Sequence, residues 1–507
     1  MPATINSAAV IGLNCHLIKV EGDVTSGLPA FFVVGLPDTA VQEARERVRS
    51  AIKNSDLLFP GTKVTVNLAP ADLKKIGPSF DLPIAVAVLV AKKQLKLNAE
   101  DQEALFIGEL SLDGSLRPVN GILSIAETLK SWNKKRLYLP AANAAEAALI
   151  SGLEIFAINS LAELTAHLKG KKNLQPYQNS EPTPEIFKNE QLPELFLIKG
   201  QYQAKRALTI AAAGYHNLLF VGPPGSGKTM LAKALRGLLP PLDFDESLEV
   251  TKIYSLAGLL PPKQPLITAR PFRSPHHTSS GVALVGGGSF PKPGEITLAH
   301  RGVLFLDELP EFPRTVLENL RQPLEDGIVT VSRAATTVCF PAAFTLIATA
   351  NPCPCGFLHD PESTCRCSEW QIKNYQKKLS GPLLDRIDLR VEVPRLKTDD
   401  LFAARTEIKP GDDVRPLIIK AQQIQIERLK DKGCLYNSQM DNGLVEKYCQ
   451  LEIEATDLLK QAMKKFNLSA RGYFKVLKIS RTIADIEQSP NILTRHVAEA
   501  LQFRQNN

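Results

Sequence analysis

The chain of 507 residues carries 60 Lys+Arg against 53 Asp+Glu, a formal net charge of +7, with 44% hydrophobic and 22% charged residues. That composition suits a soluble globular protein too long for a single hydrophobic core, so roughly two to four domains are expected. It excludes a protein that coats nucleic acid over its whole surface; any such contact must be confined to selected loops.

The longest apolar run, Leu82 to Ala91, is about half of what a membrane-spanning helix needs. The start "MPATINSAAV" has no basic region ahead of an apolar one, so no signal peptide is expected. The reading is a cytoplasmic protein with no membrane partner. In that reducing compartment the eight cysteines point to metal or to chance rather than to disulfides.

In chain order, residues 1–170 alternate β-rich runs such as "GLPAFFVVGL" and "TKVTVNLAP" with helical stretches such as "TAVQEARERVRSAI" and "DLPIAVAVLVAKK". A mixed α/β domain is predicted there. A polar, proline-dotted seam follows, and residues 171–192 read as a linker. Residues 193–394 carry strand, glycine turn and helix, then further apolar strands, and are predicted to form an α/β ATPase core. Residues 395–507 turn helical and amphipathic, as in a lid domain. No internal repeat is visible.

"GPPGSGKT" comprises Gly222, Pro223, Pro224, Gly225, Ser226, Gly227, Lys228 and Thr229, and fits G-x-x-x-x-G-K-[ST] between an apolar strand and a helix. Such a loop turns backbone N–H groups toward a β-phosphate, and the helix N-terminus favours the anion. Lys228 is expected at the β/γ-phosphates of ATP, and the Thr229 hydroxyl on Mg²⁺. The strand "GVLFLDEL" places Asp307 to hold Mg²⁺ as well, and Glu308 to orient and activate the attacking water. "TLIATAN" ends in Asn351, a polar amide at the carboxyl end of a buried strand, read as a sensor that positions water near the γ-phosphate.

Directly afterwards come Cys353, Cys355, Cys365 and Cys367, as C-x-C-x₉-C-x-C. Four thiolates suit tetrahedral Zn²⁺, and a closed set of four leaves no open position for catalysis. Free thiols and an iron–sulfur cluster are the alternatives. The cluster reads as a loop clip between the sensor strand and Arg386. Cys15, Cys339, Cys434 and Cys449 read as scattered small hydrophobes. Adjacent histidines, His276 and His277, are expected to point apart and so not to share an ion. Two later arginines, Arg386 in "LLDRIDL" and Arg471 in "LSARGYFKVLKISRTIAD", are either ordinary surface cations or partners of a γ-phosphate; spacing alone leaves this open.

Together with "GLPAFFVVGLPDTAVQEARERVRSAIKNS", "FRSPHHTSSGVALVGGG", "PKPGEITLAHRGVLFLDELPEF" and "ATANPCPCGF", these motifs resemble the magnesium-chelatase-like branch of AAA+ ATPases, and within it the bacterial ComM/YifB family of competence-associated proteins. The resemblance spans almost the whole chain. It implies a homohexameric ring with ATP between subunits, Arg386 reaching in trans and Arg471 acting as a second sensor in the lid. It further implies a DNA helicase that promotes branch migration during natural transformation, acting on single-stranded and branched DNA, with recombination proteins as further partners. In a ring, loops facing the pore carry the substrate. Arg273, Lys292 and Arg333 are therefore candidate contacts to the phosphate backbone, the last on a hairpin expected to turn at Asp326–Gly327.

Residues 1–170 resemble the Lon-protease fold, with Ser79 where that family has its nucleophile. A serine needs an adjacent base, a lysine in that family. Leu123 stands at the lysine position and cannot take a proton, so an inactive domain is expected. Ser79 is then expected near the start of a helix beginning around Asp81, with Pro83 in its first turn. Two other classes compete with the DNA motor: a protein-remodelling or chelatase-like motor that ignores DNA, and an adaptor whose ATP only assembles a ring.

Overall fold

The computed structural model describes residues 2–178, 195, 198–261, 264–288, 291–333, 336–358, 360, 362–379, 381–396 and 413–504. The chain divides into two compact units, Met1–Ile186 with Ser247–Ile267, and Phe187–Glu246 with Thr268–Asn507.

The first unit is built on strands β1 (Ala3–Ile11), β2 (Asn14–Thr25), β3 (Ala30–Val34), β4 (Lys63–Ala69), β5 (Leu105–Phe106), β6 (Arg136–Pro140) and β7 (Glu154–Ile158). They form one mixed sheet in the order β3-β4-β2-β1-β5-β6-β7. The pairs β1–β2 and β2–β4 are antiparallel and the remaining pairs parallel. Helices α1 (Thr39–Asn54) and α2 (Asp81–Ala91) pack against it. Leu82, Ile84, Val86, Val88 and Leu89 of α2 are all fully buried. A helix that is apolar all round belongs in an interior, which is why the "DLPIAVAVLVA" run lies under the sheet rather than at its surface. Pro83 stands in its first turn, where its missing N–H leaves no bond unmade. Asp81 at the buried end is held by Arg47, with Nε–Oδ2 at 2.6 Å and Nη2–Oδ1 at 3.0 Å. A buried carboxylate needs such a partner.

Helix α3 (Ile122–Ser131) buries Leu123, which clusters with Leu149 and Leu266. Leu266 comes from far along the chain, and sequence order assigned it to the ATPase core. Residues Ser247–Ile267 instead group with the first unit. Leu248 packs on the same cluster, and Lys252 pairs with Glu127. The Ser255 hydroxyl donates to the buried Glu146 carboxylate and accepts the Gly121 N–H at 2.9 Å. Burial pushes the Glu146 carboxyl up from its ordinary value, against the bonds from Ser255, Leu123 and Asn143. Apolar surface and a buried polar network decide where this segment belongs, and neither is visible in linear order.

The second unit holds helix α4 (Tyr202–Gly214), strand β8 (Leu218–Val221), helix α5 (Lys228–Leu238), then β9 (Phe272–Arg273), β10 (Val303–Leu306) and helix α6 (Arg321–Asp326). Next come the hairpin β11 (Ile328–Arg333) and β12 (Thr336–Pro341), strand β13 (Thr345–Ala350), helix α7 (Glu369–Lys377) and strand β14 (Leu389–Glu392). The sheet order is β9-β10-β13-β8-β14, parallel throughout. Parallel strands covered on both faces are buried along their whole length, as "VLFL" and "TLIATA" are.

The C-terminal helices α8 (Arg415–Leu429), α9 (Ile453–Phe466), α10 (Ala470–Ile486) and α11 (Thr494–Gln502) share one apolar core with α4, α5 and the sheet. Gln422 and Gln425 of α8 donate to the Ala212 and Ala213 carbonyls at 2.8 and 2.9 Å. They satisfy carbonyls at the end of α4 that its own helix leaves unpaired. The chain is therefore a mixed α/β multidomain protein with a parallel sheet and flanking helices. Among the described residues no helix is long and apolar enough to cross a membrane.

Two local expectations are corrected. Gly327, at φ +66°, caps the C-terminus of α6, and the strands pair from Ile328–Pro341 to Arg333–Thr336, so Asp326–Gly327 is not the turn of the hairpin. A left-handed glycine suits a helix end as well as a hairpin, which is why the pair misled. The rings of His276 and His277 do not point apart. They lie 4.1 Å apart, in a segment that is neither strand nor helix, so the alternation of a regular strand does not apply.

Candidate nucleotide and metal sites

The carboxyl ends of β8, β10 and β13 bring together the residues singled out for phosphate chemistry. Val221 leads into the glycine loop, where Gly225 and Gly227 adopt φ of +77° and +89°. Lys228 opens α5 and is 8% exposed. Its Nζ donates to the Gly222 and Pro223 carbonyls at 2.7 and 2.8 Å and to Asn351 Oδ1 at 3.3 Å. Burial pulls the ammonium down from its ordinary pKa, while Asp307 and Glu308 oppose that shift. The Thr229 hydroxyl lies 3.2 Å from Asp307 Oδ2. Lys228, Thr229, Asp307 and Asn351 thus meet at one place, as their separate motifs required.

Sequence reading missed Thr349, which organises the acidic pair. Its hydroxyl donates to Asp307 Oδ1 and accepts the Glu308 N–H at 2.9 Å. Glu308 itself is exposed with φ +52°, a left-handed backbone that costs a residue with a Cβ about 1–2 kcal/mol. Strain of that kind persists where surrounding bonds over-determine it. The available signal was spacing: Thr349 lies two residues before Asn351, on the same side of the strand.

The cysteine loop adjoins this site. Cys353 Sγ lies 3.4 Å from Cys355 and 3.7 Å from Cys365, and Cys355 lies 3.6 Å from Cys365. All four sulfurs, Cys367 included, fall within 4.8 Å of one another. Four thiolates about 2.3 Å from one tetrahedral ion would be separated by about 3.8 Å. The cage therefore fits a single ion and is too open for disulfide bonds, whose sulfurs sit about 2.05 Å apart. Backbone N–H groups of Phe357 and Arg366 pull the Cys355 thiol down to about 6, toward the thiolate a metal requires. Of the other cysteines, Cys449 is a buried hydrophobe as expected, while Cys339 is exposed on β12.

Gly356, at φ +85°, ties this loop to the phosphate loop. A Cβ there would meet Pro224 Cδ at 2.5 Å and Cγ at 2.9 Å. Gly356→Ala is accordingly expected to displace Pro224 and to weaken ATP binding about tenfold or more, since left-handed strain and the clash act together. Titration of a fluorescent ATP analogue checks this; unchanged affinity would mean the loop yields freely.

Arg386 and Arg471 take different partners. Both guanidiniums ion-pair with Glu325, Arg471 Nη2 at 2.7 Å, and Arg386 Nη1 also donates to the Pro382 carbonyl at 2.8 Å. Of the proposed nucleic-acid contacts, Arg273 is held bidentately by Glu295 at 2.7 Å, and Lys292 is exposed on the short strand Lys292–Pro293. The Arg333 side chain lies outside the described residues. In the first unit, the Ser79 carbonyl accepts the Gly108 N–H at 2.9 Å, within the helical turn Pro78–Phe80 that runs into α2. Leu123 is core, as its apolar side chain demands.

The chain matches family models described as magnesium chelatase subunit ChlI over residues 194–401, subunit ChlI of Mg-chelatase over 20–143, and the ChlI C-terminal part over 409–504. It is 44% identical to the competence protein ComM of Haemophilus influenzae across 99% of this chain and 97% of that one. The chain belongs to the ComM/YifB family. YifB of Escherichia coli is 43% identical over 99% of this chain and 96% of its own length. Magnesium-chelatase subunit ChlI of Euglena gracilis is more distant, 26% identical over 31% of this chain and 51% of that protein. As a magnesium-chelatase-like AAA+ protein of the ComM/YifB family, the chain carries a fold whose members imply ATP and Mg²⁺.

Proposed function

We propose that this ComM/YifB protein is an ATPase that assembles as a homohexameric ring and moves DNA, promoting branch migration of recombination intermediates in natural transformation. The observation that carries the ATPase reading is the convergence of Lys228, Thr229, Asp307 and Asn351 at the carboxyl ends of parallel strands. Ligands of open α/β sheets bind at that edge. Lys228 and the backbone of the glycine loop would hold the phosphates, and Thr229 and Asp307 would hold Mg²⁺, which neutralises charge on the phosphate oxygens. Glu308 accepts the proton of the attacking water, and Asn351 orients that water. Arg386 serves the nucleotide of a neighbouring subunit, with Arg471 from the helical lid beside it. Their attachment to Glu325 rather than to the glycine loop supports a role away from their own subunit's nucleotide.

Likeness to a protein named for competence supports the transformation setting, and DNA is the substrate proposed for it. Lys292 and Arg333 remain the proposed backbone contacts, together with Arg273 once it exchanges Glu295 for phosphate. Residues 1–170 are read as a Lon-like domain without proteolysis, because Leu123 supplies no base. The four cysteines are read as a structural zinc site that stiffens the loop beside Pro224. About one zinc per chain, by elemental analysis of colourless protein, is expected.

The deciding measurement is ATP turnover with and without single-stranded and branched DNA, alongside oligomer mass. DNA-stimulated turnover and ATP-dependent strand displacement, both lost in Lys228→Ala, are expected. Turnover indifferent to DNA would favour a remodelling or chelatase-like motor, to which the ChlI family models also correspond. Assembly with negligible turnover would favour an adaptor.

A further inference from the structure

Three distant elements place two cations on one anion. Glu325 lies in α6, Arg386 follows the short helix Gly381–Leu384, and Arg471 lies in the first turn of α10. Arg386 Nη2 pairs with Glu325 Oε2, and Arg471 Nη2 lies 2.7 Å from Oε1, so each guanidinium takes its own carboxylate oxygen. The three line a cavity of about 890 Å³ together with Lys475 and Lys478. The Arg386 side chain is only 14% exposed, and its Nε is buried without a hydrogen-bond partner.

Two guanidiniums this close repel one another unless an anion stands between them. Glu325 removes that repulsion yet neutralises only one of the two charges, so a net positive charge remains for a phosphate. A second tie holds the same pieces of chain. Lys475, one turn beyond Arg471 in α10, lies 2.6 Å from Asp388, two residues after Arg386. Burial alone would push the Asp388 carboxyl up, but Lys475 and His216 hold it well below the usual carboxylate range, while burial pulls the Lys475 ammonium down.

We infer that Glu325 is a positioning residue for ATP hydrolysis: it sets Arg386 and Arg471 as one rigid pair aimed at the γ-phosphate of a neighbouring subunit. This rests on the reading above, in which those arginines act on a nucleotide. Glu325 itself touches no phosphate. Its carboxylate would repel one, and its effect passes wholly through the two guanidiniums. Misplacement of a charge-stabilising group by about 1 Å can cost about 10²-fold in rate.

The test uses the full-length protein. Glu325→Gln keeps the size of the side chain and loses its charge; Glu325→Asp keeps the charge. The Gln variant is expected to bind a fluorescent ATP analogue as wild type does and to assemble normally, while kcat falls about 10- to 100-fold. The Asp variant should recover much of that loss. In an Arg471→Ala background, Glu325→Gln should cost markedly less than it does alone, a non-additivity that a merely structural role would not produce. Turnover of Glu325→Gln within twofold of wild type, with Arg386→Ala inactive, would overturn the inference and leave the ATPase reading intact. Wild-type turnover in Arg386→Ala would instead remove the reading on which it rests.

Discussion

Glu308→Gln protein is expected to bind ATP as tightly as wild type and to turn it over about 10²–10⁴ times more slowly, the range for loss of a general base. In the proposed reading Lys228, the glycine loop, Thr229 and Asp307 would hold the phosphates and the metal, while the Glu308 carboxylate acts on the attacking water. Asp307 is fixed by Thr349, and the Glu308 backbone N–H by the same hydroxyl. The amide therefore retains its geometry and loses only the capacity to take a proton. A stable ATP-bound ring should accumulate. Binding by fluorescence and turnover by phosphate release separate the two effects. Loss of binding in step with turnover would mean that Glu308 holds the cradle rather than activating water.

Arg386→Ala is expected to reduce turnover about 10³–10⁵-fold, the worth of one cation inserted at a transferring phosphoryl group. The structure gives this guanidinium no structural duty large enough to explain such a loss through unfolding, since the described partners of the side chain are Glu325 and the Pro382 carbonyl. Mixed assemblies locate its target. A subunit lacking Arg386 still offers Lys228, Asp307 and Glu308 to its own nucleotide. A subunit lacking the Glu308 carboxylate still offers Arg386 to a neighbour. Mixing two such inactive proteins should restore hydrolysis at the junctions where an intact half of each meets. No recovery at any mixing ratio, together with a monomeric ATP-bound protein, would place Arg386 outside the reaction.

Much of the candidate nucleotide site was legible because phosphate chemistry is encoded locally. A glycine loop must follow a buried strand and open a helix, and Gly222 to Thr229 do so within one uninterrupted stretch. Asp307 and Asn351 were legible for a related reason: polar residues that end long apolar runs fall at the same edge of a parallel sheet. The cysteine cage was legible in residue type and spacing, but its hold on Pro224 through Gly356 was not. Nothing local marks which loop a glycine must admit.

Arg273 shows the converse. Its surroundings suggested a free cation, and only the fold revealed Glu295 beside it. The histidine pair misled because the rule applied to it assumes a regular strand, which that segment is not.

What the sequence determined by itself is the chemistry on offer, namely a phosphate loop, an acidic strand end and four thiols. Those depend on residue type and short spacing alone. Only the tertiary structure decided that Ser247–Ile267 joins the first unit, that Thr349 organises the acidic pair, and that Arg386 and Arg471, 85 positions apart in the numbering, share Glu325. Each is a contact between distant parts of the chain. Such contacts are selected by buried area and by the need to pair charge, and both exist only once the chain has folded.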